Sequence, residues 1–113
     1  MRLRADIWVA AYIRRCEVEG ASAVLRRRGA AEAGAIFVKL DRLDGRAALF
    51  GPAPQSELAE WGIERLWRRV HAEEWVEPGV VEERLAREIG FDSDLWIVEV
   101  EDRQGKPRLD LAD

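Results

Sequence analysis

The stretch "AIFVKLDRLDGRAALFGPAP", residues 35–54, commits the chain to a β-sheet more firmly than any other. Ile36, Val38 and Leu40 alternate along "AIFVKLD", residues 35–41, and so share one face of a strand. Asp44–Gly45 then supplies a two-residue turn, and an Asp-Gly pair between apolar runs is the strongest short hairpin signal. The returning strand is "RAALF", residues 46–50, and "GPAP", residues 51–54, ends it and opens a loop.

Other segments add strands and helices to this hairpin. Residues 22–28 read as a strand, and "DLWIVEVED", residues 94–102, reads as another. Trp96, Val98 and Val100 share one face of the latter; Leu95, Ile97, Glu99 and Glu101 share the other. Residues 3–19 read as a helix ended by Gly20, with Arg14 and Arg15 near the end that attracts cations. Leu3, Ile7, Ala11 and Val18 lie on one side of it, Trp8, Tyr12 and Cys16 on a second, and Val9 and Ile13 on a third. A helix that is apolar nearly all round is covered on more than one side, by its own sheet or by another subunit. Residues 78–89 form a second helix, with Pro78 in its first turn, Val81, Leu85 and Ile89 as a stripe and Gly90 at its end. Residues 56–72 are read as helix because Ile63, Leu66, Trp67 and Val70 match i, i+3, i+4, i+7, although "RLWRRV" also suits a strand.

These elements predict a single α+β domain over residues 1–113, with a mainly antiparallel sheet of four to five strands and two to three helices. The polar residues 106–113 are expected to fray as a flexible tail. The 113 residues bury enough surface to fold without a metal or disulfide, and the one cysteine excludes an internal disulfide. A net charge of −4 gives no overall attraction to nucleic acid or anionic lipid. The apolar run "IWVAAYI", residues 7–13, is too short to span a bilayer and lacks a signal-peptide cleavage site. A cytoplasmic protein is expected.

Four segments, "IWVAAYIRRCEVEG", "RRRGAAEAGAIFVKLDRLDG", "LFGPAPQ" and "FDSDLWIVEVEDR", together resemble a family of short bacterial proteins known as domain of unknown function 1491. The resemblance spans nearly the whole chain, and residues 56–76 carry little of it. It implies a small stand-alone bacterial protein, intracellular, and assigns no catalytic residue.

The residues that carry chemistry are few. Cys16 and His71 are the only thiol and imidazole, and nothing in the sequence brings them together. Cys16 reads as a small buried hydrophobe. There is no threonine, and Ser22, Ser56 and Ser93 sit in no nucleophile-elbow motif. Zinc needs about four ligands that one Cys and one His do not supply, and "DSD", residues 92–94, lacks the rest of a calcium loop. No metal, cofactor or catalytic residue is expected. Trp8, Tyr12, Trp61 and Trp75 are the interface candidates, among five tryptophans.

The run "LRRRGAAEAG", residues 25–34, is not a phosphate loop, because Gly34 opens a strand and no Gly-Lys-Ser/Thr follows. "GAAEAG", residues 29–34, reads as a hairpin connection whose glycines supply positive φ. By alternation Arg26 and Arg28 share one face and Arg27 takes the other. If strands 22–28 and 94–102 are neighbours, Arg26 and Arg28 face Glu99 and Glu101. If they are apart, Arg26 and Arg28, with Arg14 and Arg15, are candidates for an anion or an acidic partner. The sequence thus favours a non-enzymatic interaction module that forms a homodimer or docks to a protein partner. Its alternative is a small enzyme or anionic-ligand binder with an arginine–carboxylate pocket.

Overall fold

A computed structural model describes residues 3–54 and 65–112. Five strands, β1 (Ser22–Arg27), β2 (Ile36–Asp41), β3 (Ala47–Pro52), β4 (Trp67–Arg69) and β5 (Trp96–Glu101), form one sheet in the order β1-β5-β2-β3-β4. Every neighbouring pair is antiparallel except β2 and β5, which run parallel at the centre. Helix α1 (Ala5–Val18) packs on one face of the sheet and α2 (Pro78–Phe91) on the other.

Alternation along the central strands explains the two layers. Ile36, Val38, Leu40, Phe50, Trp96, Val98 and Val100 point to the α1 side, where they meet Ala5, Val9, Tyr12 and Cys16. Phe37, Leu49, Leu95 and Ile97 point to the α2 side and meet Val81 and Leu85. Each such side chain contributes about 1.5–3 kcal/mol on full burial, so the sheet is stabilised from both faces.

Several expectations are corrected. The hairpin between β2 and β3 pairs Asp41 with Ala47, and Arg42 N donates to Arg46 O at 3.0 Å. The turn therefore has three central residues, Leu43, Asp44 and Gly45, with φ of 66° at Leu43 and 84° at Gly45, rather than Asp44–Gly45 alone. Residues 67–69 are strand, not helix. Trp67 packs on the α1 side and Val70 on the α2 side, so residues three apart reach opposite layers, which a helix does not allow. The rest of the helix read over 56–72, from residue 56 to residue 64, lies outside the described residues.

Helix α2 passes through Gly90 and stops at Phe91. Among the described residues helix α1 leaves Ile7 and Val18 exposed, and Leu3 just before it is exposed too. The C-terminal segment, expected to fray, is hydrogen-bonded to β4 and α1. Trp67 N donates to Asp110 O at 2.9 Å, Ala112 N to Trp67 O at 2.7 Å, and the Tyr12 hydroxyl to Pro107 O at 2.7 Å. Among the described residues no helix is long and apolar enough to cross a membrane.

Candidate functional site

The connection "GAAEAG" joins β1 to β2, but β5 stands between those strands, so it is not a hairpin. It folds over the start of β5. Ala30 N donates to Asp94 O at 2.9 Å, and Trp96 Nε1 donates to Ala30 O at 2.8 Å. Ala31 O and Glu32 O accept from Asp6 N and Ala5 N, so the connection caps α1, which has no side-chain cap of its own. Gly29 and Gly34 do not have positive φ. They are glycine because a Cβ at either would strike Asp94 O and the Trp96 ring. The loop is an anchor for α1 and β5.

The three arginines before it are engaged one by one. Strands β1 and β5 are neighbours, with Val24 opposite Glu99 and Ser22 opposite Glu101. A β-bulge between Leu25 and Arg27 breaks the alternation. Arg26 bonds Glu82 of α2 at 2.8 and 2.9 Å and Glu99 at 3.0 Å. Lys39, buried in mid-sheet, bonds Glu82 at 2.7 Å and lies 3.7 Å from Glu99. The Arg26 bond, with help from Lys39, lowers the Glu82 carboxyl from its ordinary 4.5 to about 2. The sequence reading missed Lys39 and Glu82, although a lysine inside "IFVKL" was a visible signal of a buried charge in need of a partner.

Past the bulge, Arg27 donates to Ser93 O at 2.8 Å. Arg28 turns to the Trp96 ring, 5.4 Å from its centre, and so does not share a face with Arg26 or reach Glu101. The bulge shifts the register by one residue, which the period-two argument did not include. Arg26 and Arg28 therefore form no joint anion site, and Arg14 and Arg15 belong to α1, on the other face of the sheet from Glu82.

A different group of candidates does come together. Trp8, Tyr12 and Arg15 lie on one stripe of α1 and form a wall of an open cleft of about 500 Å³. Opposite stand Trp67 and the C-terminal Arg108, Leu109 and Asp110. Trp8 stacks on Tyr12 with ring centres 4.9 Å apart, and its ring lies 5.0 Å from that of Trp67. The Arg65 guanidinium stands 6.0 Å over Trp8 and donates to Leu3 O at 3.0 Å.

Arg108 lines the cleft with only 8% of its side chain exposed. It holds Glu19 at 2.7 Å and Asp102 at 3.2 Å, and its φ of 56° is unusual for a side chain of that size. Burial pulls the Arg108 pKa down, but Glu19 and Asp102 more than offset this and hold it charged. Arg15, largely exposed, bonds Glu19 at 3.2 Å on the rim. Burial of Tyr12, whose hydroxyl is given to Pro107 O, pushes its ionisation upward. The sequence reading missed Arg65, Trp67, Arg108 and Asp110, because β4 and the C-terminal segment reach α1 only through the fold.

The remaining candidates stay apart from this cleft. Trp75 is half-buried, its ring 4.9 Å from the Arg42 guanidinium and 5.5 Å from that of Arg69. Trp61 lies outside the described residues. Cys16 is fully buried in the α1 layer, which raises its pKa. His71 belongs to the α2 side, where Nε2 accepts from Leu49 N at 3.0 Å and Nδ1–H donates to Glu73 O at 2.7 Å. The sheet separates thiol and imidazole, and both ring nitrogens are occupied, so the two cannot act as nucleophile and base. In the turn at residues 92–94, Asp94 N donates to Asp92 Oδ1 at 2.9 Å. Among the described residues no group of three Cys, His, Asp or Glu is placed to hold a metal ion.

A family model for proteins of unknown function, DUF1491, matches residues 3–110. The chain is similar to a DUF1491 family protein from Caulobacter crescentus CB15, known from a crystal structure, at 36% identity with a TM-score of 0.81 and all of both chains covered. An NMR structure of a DUF1491 family protein from the same organism gives 37% identity and 0.81, covering 100% of this chain and 99% of that one. The solution structure of a protein from A. tumefaciens gives 41% identity and a TM-score of 0.82, over 100% of this chain and 97% of that one. No curated protein matches significantly.

Proposed function

The chain belongs to the DUF1491 family, whose function is unknown, and from that premise we propose that it is a non-catalytic binding protein. Its ligand site is the cleft between α1, β4 and the C-terminal segment. The ligand has a flat aromatic body and one anionic group. One observation carries this reading: the stacked Trp8–Tyr12 pair and Trp67 line the same cleft as the guanidiniums of Arg15 and Arg108.

A π-face accepts a planar ring by stacking, and a guanidinium beside it takes a carboxylate or phosphate through paired N–H donors. The volume of about 500 Å³ suits a small molecule. Arg108 gives Nε to Glu19 and Nη1 to Asp102 and Lys106 O, so it offers the ligand Nη2 alone, in an orientation those bonds already fix, and the paired donors come from Arg15. Arg15 is the adaptable partner at the rim. We also infer a cytoplasmic location in a bacterium, since a lone buried thiol suits a reducing compartment.

The test is an NMR titration that follows the indole N–H signals of Trp8 and Trp67. The probes are 2-naphthoate, the uncharged 2-naphthylmethanol and inorganic phosphate. Saturable shifts with naphthoate are expected, about tenfold tighter than with the alcohol, a difference of about 1.4 kcal/mol. Arg15→Ala removes most of that preference, and Trp8→Ala removes binding. Equal affinity for naphthoate and the alcohol, or unchanged binding by Trp8→Ala, overturns the proposal.

A further inference from the structure

The two edges of the sheet are treated differently. The edge strand β4 is covered by the chain's own C-terminal segment, which bonds Trp67 through Asp110 O and Ala112 N. The other edge, β1, has no strand beside it among the described residues, and it exposes Val24 at 54% and Leu25 at 38%. Unpaired N–H and C=O groups flanked by apolar side chains form a template for another strand.

We propose that the β1 edge pairs antiparallel with β1 of a second copy of this chain, joining two sheets across a two-fold axis at Val24. This inference is independent of the cleft reading. Charge selects the occupant and the direction. The strand ends in Arg26, Arg27 and Arg28, while at its start Ser22 lies opposite the exposed Glu101 of β5. Parallel pairing stacks the two arginine runs on each other. Antiparallel pairing keeps the two runs at opposite ends of the ladder and carries each over the other copy's Ser22, about 10 Å from Glu101 across two strand spacings.

Parity limits the register, and the placement of Arg26 over the other copy's Ser22 selects centring on Val24. A two-fold axis normal to the sheet keeps every side chain on its own face, so residues that oppose each other share odd or even number. Centring on Val24 places Val24 against its copy and Ala23 against Leu25, and the bulge after Leu25 ends the ladder. Centring on Leu25 instead sets Val24 against Arg26 and Ala23 against Arg27, apolar against charged. Among the described residues β1 is the sheet edge with no segment bonded along it, so pairing through β1 closes at two copies and makes no fibre.

Sedimentation over a concentration series tests the proposal. The wild type is expected to pass reversibly from monomer to dimer. Val24→Lys sets two like charges opposite each other at the axis and weakens association by about tenfold or more, with unchanged circular dichroism. Val24→Cys reads the register, because directly opposed strand residues lie within the Cα range of a disulfide. It is expected to cross-link under mild oxidation, while the exposed helix control Ala10→Cys stays monomeric. A wild type that stays monomeric at its highest soluble concentration overturns the proposal. So does Val24→Lys that associates as the wild type does, or equal cross-linking of the two cysteine variants.

Discussion

Replacing Gly34 with alanine is the sharpest test of how the "GAAEAG" connection works. A Cβ at this position meets Asp94 O, and it lies 2.9 Å from both Ala30 N and Trp96 Nε1. None of these is the end of a flexible side chain, so the connection itself must move. That movement strains two hydrogen bonds, Ala30 N to Asp94 O at 2.9 Å and Trp96 Nε1 to Ala30 O at 2.8 Å. Each contributes about 1 kcal/mol net, and overpacking adds about 1–3 kcal/mol. With partial relaxation we expect a loss of about 2–4 kcal/mol. For a chain of 113 residues, about 4 °C is lost per kcal/mol, so the melting temperature should fall by roughly 8–16 °C. Because Ala5 N and Asp6 N bond the carbonyls of Glu32 and Ala31, the start of α1 should loosen too. Urea and thermal unfolding, followed by circular dichroism and amide exchange over residues 5–9, measure both effects. Gly90→Ala is the matched control: it lies inside α2 with no atom within 4 Å of a new Cβ, and it should stabilise by about 0.5–1 kcal/mol. A loss below about 0.5 kcal/mol for Gly34→Ala, within the range of an ordinary surface change, refutes the close-approach argument.

The charge network gives two more predictions. Arg26→Ala and Glu99→Ala, made singly and together, should show a coupling of about 0.5–1 kcal/mol, since both side chains are partly screened by water; strictly additive losses refute their pairing. Glu82 titrates near 4.5 when unfolded and near 2 when folded, so its stabilisation is present above about pH 4.5 and is lost as the pH falls toward 2. With 41% of its side chain exposed, the loss should be about 1–2 kcal/mol, and Glu82→Gln should flatten the urea midpoint between pH 5 and 2. An unchanged slope in that variant refutes the assignment.

Much of the fold was written in local pattern. Period-two alternation in "AIFVKLD" and "DLWIVEVED" placed Ile36, Val38, Leu40, Trp96, Val98 and Val100 on the faces they occupy. Glycine and proline punctuation located both helices to within a few residues. These signals survive because a residue's face within one element depends only on its neighbours in sequence. Cys16 was legible for the same reason, as part of a helical stripe with Tyr12.

What stayed hidden depends on contacts between distant segments. The insertion of β5 between β1 and β2 turned an apparent hairpin into a crossover, and it gave Gly29 and Gly34 a packing role in place of a conformational one. The bulge in β1 separated Arg28 from Arg26, because one extra residue reverses every later side chain. Pairing with β3 made residues 67–69 a strand against a helical count, since ladder bonds and burial of Trp67 outweigh a weak local period. The cleft is the clearest case. Its α1 wall, Trp8, Tyr12 and Arg15, can be read as one stripe of a helix, whereas Trp67 and Arg108 join them only when β4 and the C-terminal segment pack beside α1. Sequence alone determined which residues each element turns inward, a property of the local backbone period. The tertiary structure decided which inward and outward residues meet, because strand order and register are set by the whole chain's competition for burial.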